Sequence, residues 1–442
     1  MPGSDLRRIG RGSRVGDYHA RRIASGMSAD EPARLFVDHF FRQKWRETIV
    51  ILTRRFGTQH LEEVENAVQS AMLKALDRWT LSGVPSNPGG WIFTAAKNEL
   101  IDKFRQSAVR AGHANTVEEA LYSDGAGPDF WAGPLEDDVL SMILVCCHPQ
   151  LRARESVVIT LRLVCGLGIH EIGAAVFAKD EAVRKILTRT KAKIRDTSIP
   201  FEHPPRAEHS ARLDRVLRIV YLLFNEGYAS SIGVRLVSPE LCAEAERLIK
   251  LLLDSHVSDR GDVWALAALM SFQASRLQAR ADKDGRLLRL AEQDRSLWDG
   301  GKIARGFHCL DRSMRSNETS KYHLEAAIAA CYAAAPSYEQ TDWCQILSFY
   351  DDLMTISPSP IVVLNRSVPL VMVKGPDAGI AILESLEREG ALARYHLLPA
   401  LMADYHQRAG RSKLAKAYFK KAADLSQTAP VRQFLLDRIQ ED

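Results

Sequence analysis

At 442 residues, with 46% hydrophobic and 26% charged residues, the chain has the make-up of a globular protein with material for two or three domains. A net charge of +4 and a pI near 8.6 are mild, so any nucleic-acid surface must be local. No apolar run approaches the roughly 18 residues of a membrane span, and no apolar segment follows the Arg-rich start as a signal peptide requires. The 7 cysteines form no CxxC pair, and an odd count excludes a complete disulfide framework, so reduced thiols and a cytoplasmic location without membrane partners are expected.

Helix-length apolar periodicity broken by Pro and Gly runs through nearly the whole chain and predicts an all-α fold. Residues 1–30 are polar and carry Arg7, Arg8, Arg11, Arg14, Arg21 and Arg22, which reads as a disordered basic tail, with Met27 as a second candidate start. Helices are expected from about Pro32 to Phe56, Leu61 to Trp79 and Pro88 to Gln106, making a first domain of residues 31–106. In the last of these, NPGGWIFTAAKNELIDKFRQ, Asn87 caps and Pro88 starts the helix. Trp91, Ala95, Leu100 and Phe104 are placed on its inner face, with Lys97, Asn98, Asp102, Lys103 and Arg105 nearer solvent. Basic and polar side chains beside aromatics suit DNA, since rings can hold unstacked bases; a plain core role for Trp91 and Phe93 is the alternative.

Residues 107–134, with GHANT and SDGAGP, read as a linker with a turn of helix at Val117 to Leu121. A second domain, residues 135–200, holds a helix–turn–helix pattern. Leu161, Leu163 and Val164 lead into a Gly166/Gly168 break, Ile172, Ala175 and Val176 mark a short helix, and Asp180 opens a third. On that third helix Val183, Leu187, Thr190 and Ile194 recur at three- and four-residue spacing. With this stripe inward, Glu181, Arg184, Lys185 and Thr188 point outward near the N-terminus, followed by Arg189, Lys191, Lys193 and Arg195. The start of a recognition helix reaches base edges, while later Lys and Arg meet phosphates; a solvated basic helix is the alternative. Cys146-Cys147-His148 lacks a second paired element and reads as buried helix cysteines, so no metal is expected.

Residues 201–211, with Pro204-Pro205, read as another linker, and residues 212–442 as a large helical domain. Pro360 to Glu389 and Tyr395 to Leu425 read as helical hairpins turning at Gly375-Pro376 and at Gly410, with Ala415, Phe419 and Ala422 as small and aromatic packers. Such hairpins stack into a solenoid whose groove is a candidate surface for a protein partner; a purely structural cap is the alternative. The polar clusters Asn225-Glu226-Gly227-Tyr228, Gln293-Asp294-Arg295 and Asp351-Asp352 include no nucleophile–base pair, phosphate loop or metal spacing, and read as brackets between helices. Neither catalysis nor a cofactor is expected.

The order VENAVQSAMLKALDRW, NPGGWIFTAAKNELIDKFRQ, linker and basic helix–turn–helix resembles an extracytoplasmic-function sigma factor, with sigma-2 and sigma-4 domains. YLLFNEGYASS (Tyr221 to Ser231), EQDRSLWD (Glu292 to Asp299), TDWCQILSFYDDLM (Thr341 to Met354) and SPSPIVVLNRSV (Ser357 to Val368) are similar to the members carrying a C-terminal tetratricopeptide-like extension. The resemblance covers about Leu35 to Ser426. It implies that Val64 to Leu76 docks on core RNA polymerase through Asn66, Gln69, Ser70 and Leu73, that Pro88 to Gln106 opens the −10 promoter element, and that the basic helix reads the −35 element. Asn66 and Ser70 stand where the family usually has carboxylates, Ala182 where it has Thr, and Ile186 where it has Arg. Core polymerase and promoter DNA are thus the implied partners. A stand-alone helix–turn–helix regulator with a sensing domain, or a scaffold with eroded DNA modules, are the other readings.

Overall fold

The computed structural model describes residues 31–111, 135–176, 178–201, 206–228, 239–255, 260–283, 286–316, 318–426 and 428–440. The basic tail, most of the first linker, and Pro204-Pro205 of the second lie outside these residues. Among the described residues the chain is all-α, and no helix is long and apolar enough to cross a membrane. It forms two compact units, residues 1–172 with 180–212, and residues 173–179 with 213–442.

The first unit opens with α1 (Glu31–Phe56), a 3-10 turn (Thr58–His60), α2 (Leu61–Ser82) and α3 (Pro88–Ala111), which pack on one another. Their core joins Ile49, Val50 and Leu52 of α1 to Val64, Val68 and Ala71 of α2 and to Ile92, Ala96 and Leu100 of α3. Asn87 Oδ1 accepts from the Gly90 amide at 2.8 Å, the N-terminal cap its type predicts. The helix passes Gln106 to Ala111, because Ser107 to Ala111 contains no breaker before Gly112.

The inner face of α3 differs from the expected one. Ile92, Phe93, Ala96 and Leu100 are buried, whereas Trp91, Ala95 and Phe104 are half-buried. The large rings settle at the edges of the face instead. Trp91 meets Trp79 edge-on at 5.7 Å, and Trp79 lies against Phe41 at 6.0 Å. Phe104 packs on Phe56 at 5.6 Å and on His60 at 4.6 Å.

The same unit continues with α4 (Leu135–Cys146), α5 (Ala153–Leu163), the start of α6 (Ile169–Ala175) and α7 (Asp180–Asp196). Gly166, at φ 69°, takes the left-handed conformation that turns the chain after α5. Cys146, Cys147 and Cys165 are buried and joined in no disulfide, and burial, then the neighbouring Cys147, pushes the Cys146 thiol well up. Described residues on both sides of the first linker belong to one compact body. Arg42 pairs with Glu171 at 2.5 Å and Arg54 with Asp138 at 3.0 Å. The Arg162 guanidinium lies 4.5 Å over the Trp45 ring, and the Thr58 hydroxyl donates to the Ile199 carbonyl.

The second unit holds α8 (Arg206–Tyr228, from Leu213 on), α9 (Pro239–Asp254), α10 (Gly261–Ser275), α11 (Gly300–Ser313) and α12 (Lys321–Ala334), then α13 (Trp343–Ile356), α14 (Pro360–Lys374), α15 (Pro376–Glu389), α16 (Leu397–Arg408), α17 (Ser412–Leu425) and α18 (Ala429–Gln440). From α12 onward each helix packs on the next. Gly375 (φ 88°) and Gly410 (φ 73°) make the two turns the sequence marks. One core layer joins Leu364, Ile380, Leu383, Met402 and Tyr405, and the next joins Ala415, Phe419, Ala422 and Leu435.

The polar clusters bracket neighbouring elements here. Asp294 accepts from the Ser296 amide at 2.9 Å, Arg295 donates to the Tyr332 and Ala335 carbonyls, and Asp351 pairs with Arg366 at 2.6 Å. At Gly227 a side chain would strike the Cys242 backbone at 2.6 Å, so glycine permits the close approach of α9.

Candidate nucleic-acid interface

The helix α7 is amphipathic by construction. Val183, Leu187, Thr190 and Ile194 face inward, as their spacing predicts, and Glu181, Arg184, Lys185, Thr188, Arg189 and Arg195 are exposed. The Thr190 hydroxyl is satisfied by donating to the Ile186 carbonyl at 2.7 Å. Lys185 pairs with Glu181 one turn away at 2.6 Å, a contact of two exposed groups worth little. Arg184, Lys185 and Thr188 therefore form an outward face on the N-terminal half of the helix, able to enter a groove.

Toward the C-terminal half the basic residues divide. Lys191 turns inward and meets Glu65 of α2 at 2.5 Å. Arg162 of α5 meets the other oxygen of the same carboxylate at 2.6 Å. Burial alone would raise the Glu65 carboxyl, but the Lys191 and Arg162 cations outweigh it and hold the group below its ordinary value. Lys193 and Arg189 approach Glu155 at 3.4 and 3.7 Å. Glu155 also accepts from the Arg152 amide at 2.8 Å and so caps α5; against its burial, that bond and the two cations lower its carboxyl. Arg195 lies against Asp196 at 2.9 Å.

Glu65 and Glu155 are the organising residues here, and neither stands out as a binding residue in the sequence. A signal for Glu65 exists: it lies on the same stripe as Leu61, Val68, Met72 and Ala75, where a carboxylate needs a buried cation.

On α3 the exposed positions include Asn98, Asp102 and Arg105, with Lys97 and Lys103 half-exposed. Lys103 and Lys74 share Glu99, at 3.5 and 2.7 Å, and Arg105 lies 3.8 Å from Asp102. Trp91 sits at the N-terminal end of the same helix, its ring edge against Trp79. On α2, Asn66, Gln69 and Leu73 are exposed with Ser70 half-buried beside them. Leu73 is 57% exposed, Leu76 47% and Leu81 90%, so the outer side of α2 carries apolar surface without cover from the described residues of its unit.

Residues 212–314 match a family of unknown function, DUF6596. An uncharacterized protein of Rhizobium meliloti (strain 1021) is 35% identical over 377 residues, which span 84% of this chain and 88% of that protein. The chain belongs to the family of that Rhizobium protein, and carries the DUF6596 domain within its second unit.

Proposed function

We propose that the chain is an alternative sigma factor of the extracytoplasmic-function type, binding core RNA polymerase and directing it to promoter DNA. One observation carries this reading: a single compact unit holds both a basic helix with a free outward face and a separate helix with bare apolar surface. Arg184, Lys185 and Thr188 of α7 offer the first, and Leu73 and Leu76 of α2 the second. A regulator acting on DNA alone needs only the first. An apolar patch beside Asn66 and Gln69 suits a protein partner, as the resemblance of Val64 to Leu76 to a polymerase-docking helix implies.

On this reading α7 meets the −35 element through Arg184, Lys185 and Thr188, with Arg189 and Arg195 near phosphates. The α3 face of Lys97, Asn98 and Lys103, with Trp91, meets the −10 element. Each patch offers few phosphate contacts, so neither binds tightly alone; docking on polymerase raises the effective concentration of both. The chain itself does no bond chemistry, and the second unit modulates the first.

The test is co-elution and titration of the purified full-length chain with core RNA polymerase, alongside the chain lacking residues 205–442. Saturable one-to-one binding is expected. No binding by either form rejects the proposal.

A further inference from the structure

Three arginines of the second unit interleave with two aromatic rings. The Arg280 guanidinium lies 3.8 Å over the Tyr228 ring, and that of Arg276 lies 5.7 Å from the same ring. Arg276 lies in turn 5.9 Å over Trp298, which Arg295 covers at 4.6 Å. The order is therefore Arg280, Tyr228, Arg276, Trp298, Arg295, with each ring shared by two cations. The ends of elements set it up. Tyr228 closes α8, Arg276 follows α10, and Arg280 follows the 3-10 turn Leu277–Ala279. A second 3-10 turn, Arg295–Leu297, carries Arg295 and leads into Trp298. The Asp299 amide pins it to the end of α10 by donating to the Ser275 carbonyl at 2.8 Å.

This series lacks a counter-charge. Among the described residues no carboxylate pairs with any of the three arginines. Half-buried arginines elsewhere in the unit do find one: Arg247 pairs with Glu244 at 2.8 Å, Arg260 with Asp214 at 2.6 Å and Arg366 with Asp351 at 2.6 Å. Burial, then the Arg276 charge, lowers the Arg295 pKa against a weaker pull from the exposed Glu339, so these cations stand close enough to repel. Arg295 is itself committed to the Tyr332 and Ala335 carbonyls. The open donors are those of its neighbours. Arg276 makes no side-chain hydrogen bond among the described residues, and its nitrogens all reach the surface, as do the two terminal nitrogens of Arg280. Two accessible guanidiniums held by rings, beside a third cation and without an anion of their own, make a receptor for a ligand with several negative charges.

We propose that Arg276 and Arg280 bind an anion of at least two linked phosphoryl groups, a pyrophosphate-type chain, with Arg295 adding its charge. The planar fork of each guanidinium matches two oxygens of one phosphoryl group. Tyr228 lies between the two forks, so a linked chain serves both where one orthophosphate serves one. Phe224 stacks on Tyr228 at 5.9 Å and Trp298 is buried, so neither ring is open to a nucleobase. The phosphate chain carries the recognition, and free pyrophosphate and a nucleoside triphosphate share that chemistry. The groove of about 640 Å³ lined by Asp214, Arg260 and Asp262 is a weaker candidate, because Arg260 already pairs with both carboxylates. The inference does not depend on the sigma-factor reading.

Isothermal titration of the full-length chain at about 50 mM salt tests it, with pyrophosphate, ATP and orthophosphate as probes. Saturable pyrophosphate binding is expected, tighter than orthophosphate by about tenfold or more. ATP within about tenfold of pyrophosphate makes a nucleotide the source of the chain, and a weaker ATP makes it the free anion; either supports the site. Arg276→Gln and Arg280→Gln should each weaken pyrophosphate about tenfold, and Arg276→Lys, which keeps the charge and loses the fork, should weaken it too. Arg312→Gln removes a guanidinium that lies 4.8 Å over the single ring of Trp264, and should leave the affinity unchanged. No saturable pyrophosphate binding up to about 10 mM, an affinity unchanged in both Gln variants of the series, or an equal loss in Arg312→Gln overturns the proposal. Single-stranded DNA held through Arg276 and Arg280 without pyrophosphate binding would make the partner a nucleic acid, and overturns it as well.

Discussion

Replacing Glu65 by Gln tests how the first unit is held together. The carboxylate is buried and bonded to Arg162 and Lys191 at 2.6 and 2.5 Å, and those two side chains are only 15% and 14% exposed. Gln keeps one acceptor but leaves two cations facing a neutral group. Breaking a buried pair by neutralising one member costs about 3–5 kcal/mol, and the retained hydrogen bond favours the lower end. For a unit of this size each kcal/mol moves the melting temperature by roughly 2–4 °C, so a fall of roughly 6–12 °C is expected. Differential scanning calorimetry of the full chain reads it, together with limited proteolysis between residues 111 and 135. A change below about 1 °C would refute the clamp.

The pH dependence supplies an independent check. Glu65 has a folded pKa below its ordinary 4.5. Its contribution is therefore fully present above about pH 4.5, where the unfolded carboxyl is ionised, and is lost as pH falls through the lower folded value. The gap in melting temperature between wild type and Glu65→Gln should stay constant from pH 7 to about 5.5 and narrow progressively below about pH 4.5. A gap that does not narrow as pH falls below about 4.5 would place the effect on packing instead of charge.

The other expectations can be put briefly. Arg189→Ala with Arg195→Ala should reduce the slope of log K against log salt for polymerase-bound promoter DNA by about 0.9 per lost phosphate contact; an unchanged slope removes both residues from the phosphate contacts. Leu73→Ser with Leu76→Ser should weaken polymerase binding while shifting stability by no more than about 0.5 kcal/mol, since both side chains are exposed. Gly306→Ala should cost about 1–3 kcal/mol in urea unfolding, because the new Cβ falls 2.6 Å from the Phe272 ring, which is itself buried.

The sequence shows the helices most clearly where a local rule is strong. Gly375-Pro376 combines a left-handed residue with a ring that starts the next helix, and the turn between α14 and α15 falls there. The stripe from Val183 to Ile194 likewise separates the two sides of α7. Aromatic placement on α3 is less legible, because Trp91 and Phe104 are drawn to Trp79 and His60, rings that lie outside the helix. Periodicity within one element cannot register such neighbours. The Glu65 clamp and the Tyr221–Glu325 hydrogen bond are long-range for the same reason: Glu65 meets residues 97 and 126 positions away, and Tyr221 meets Glu325 across three helices. Their residue types are ordinary; only the fold brings them together.

Lys191 gives these observations a common consequence. Its place late on the recognition helix assigns it to phosphate, whereas here it holds Glu65, and a single ammonium group cannot neutralise both. If α7 reaches DNA with Lys191 engaged, the Glu65 carboxylate loses one of its two cations, and part of the binding energy offsets that loss. Salt acts unequally on the two alternatives. A buried pair is screened weakly, while phosphate contacts weaken steeply as counterion release becomes less favourable. Rising salt therefore shifts Lys191 toward Glu65 and holds α2 and α7 together. Glu65→Gln removes the competitor, so the variant's polymerase complex should keep more of its DNA affinity at high salt than wild type. Parallel salt curves for the two would show that Lys191 stays with α2 throughout, and that Arg184, Lys185 and Thr188 read the DNA without it.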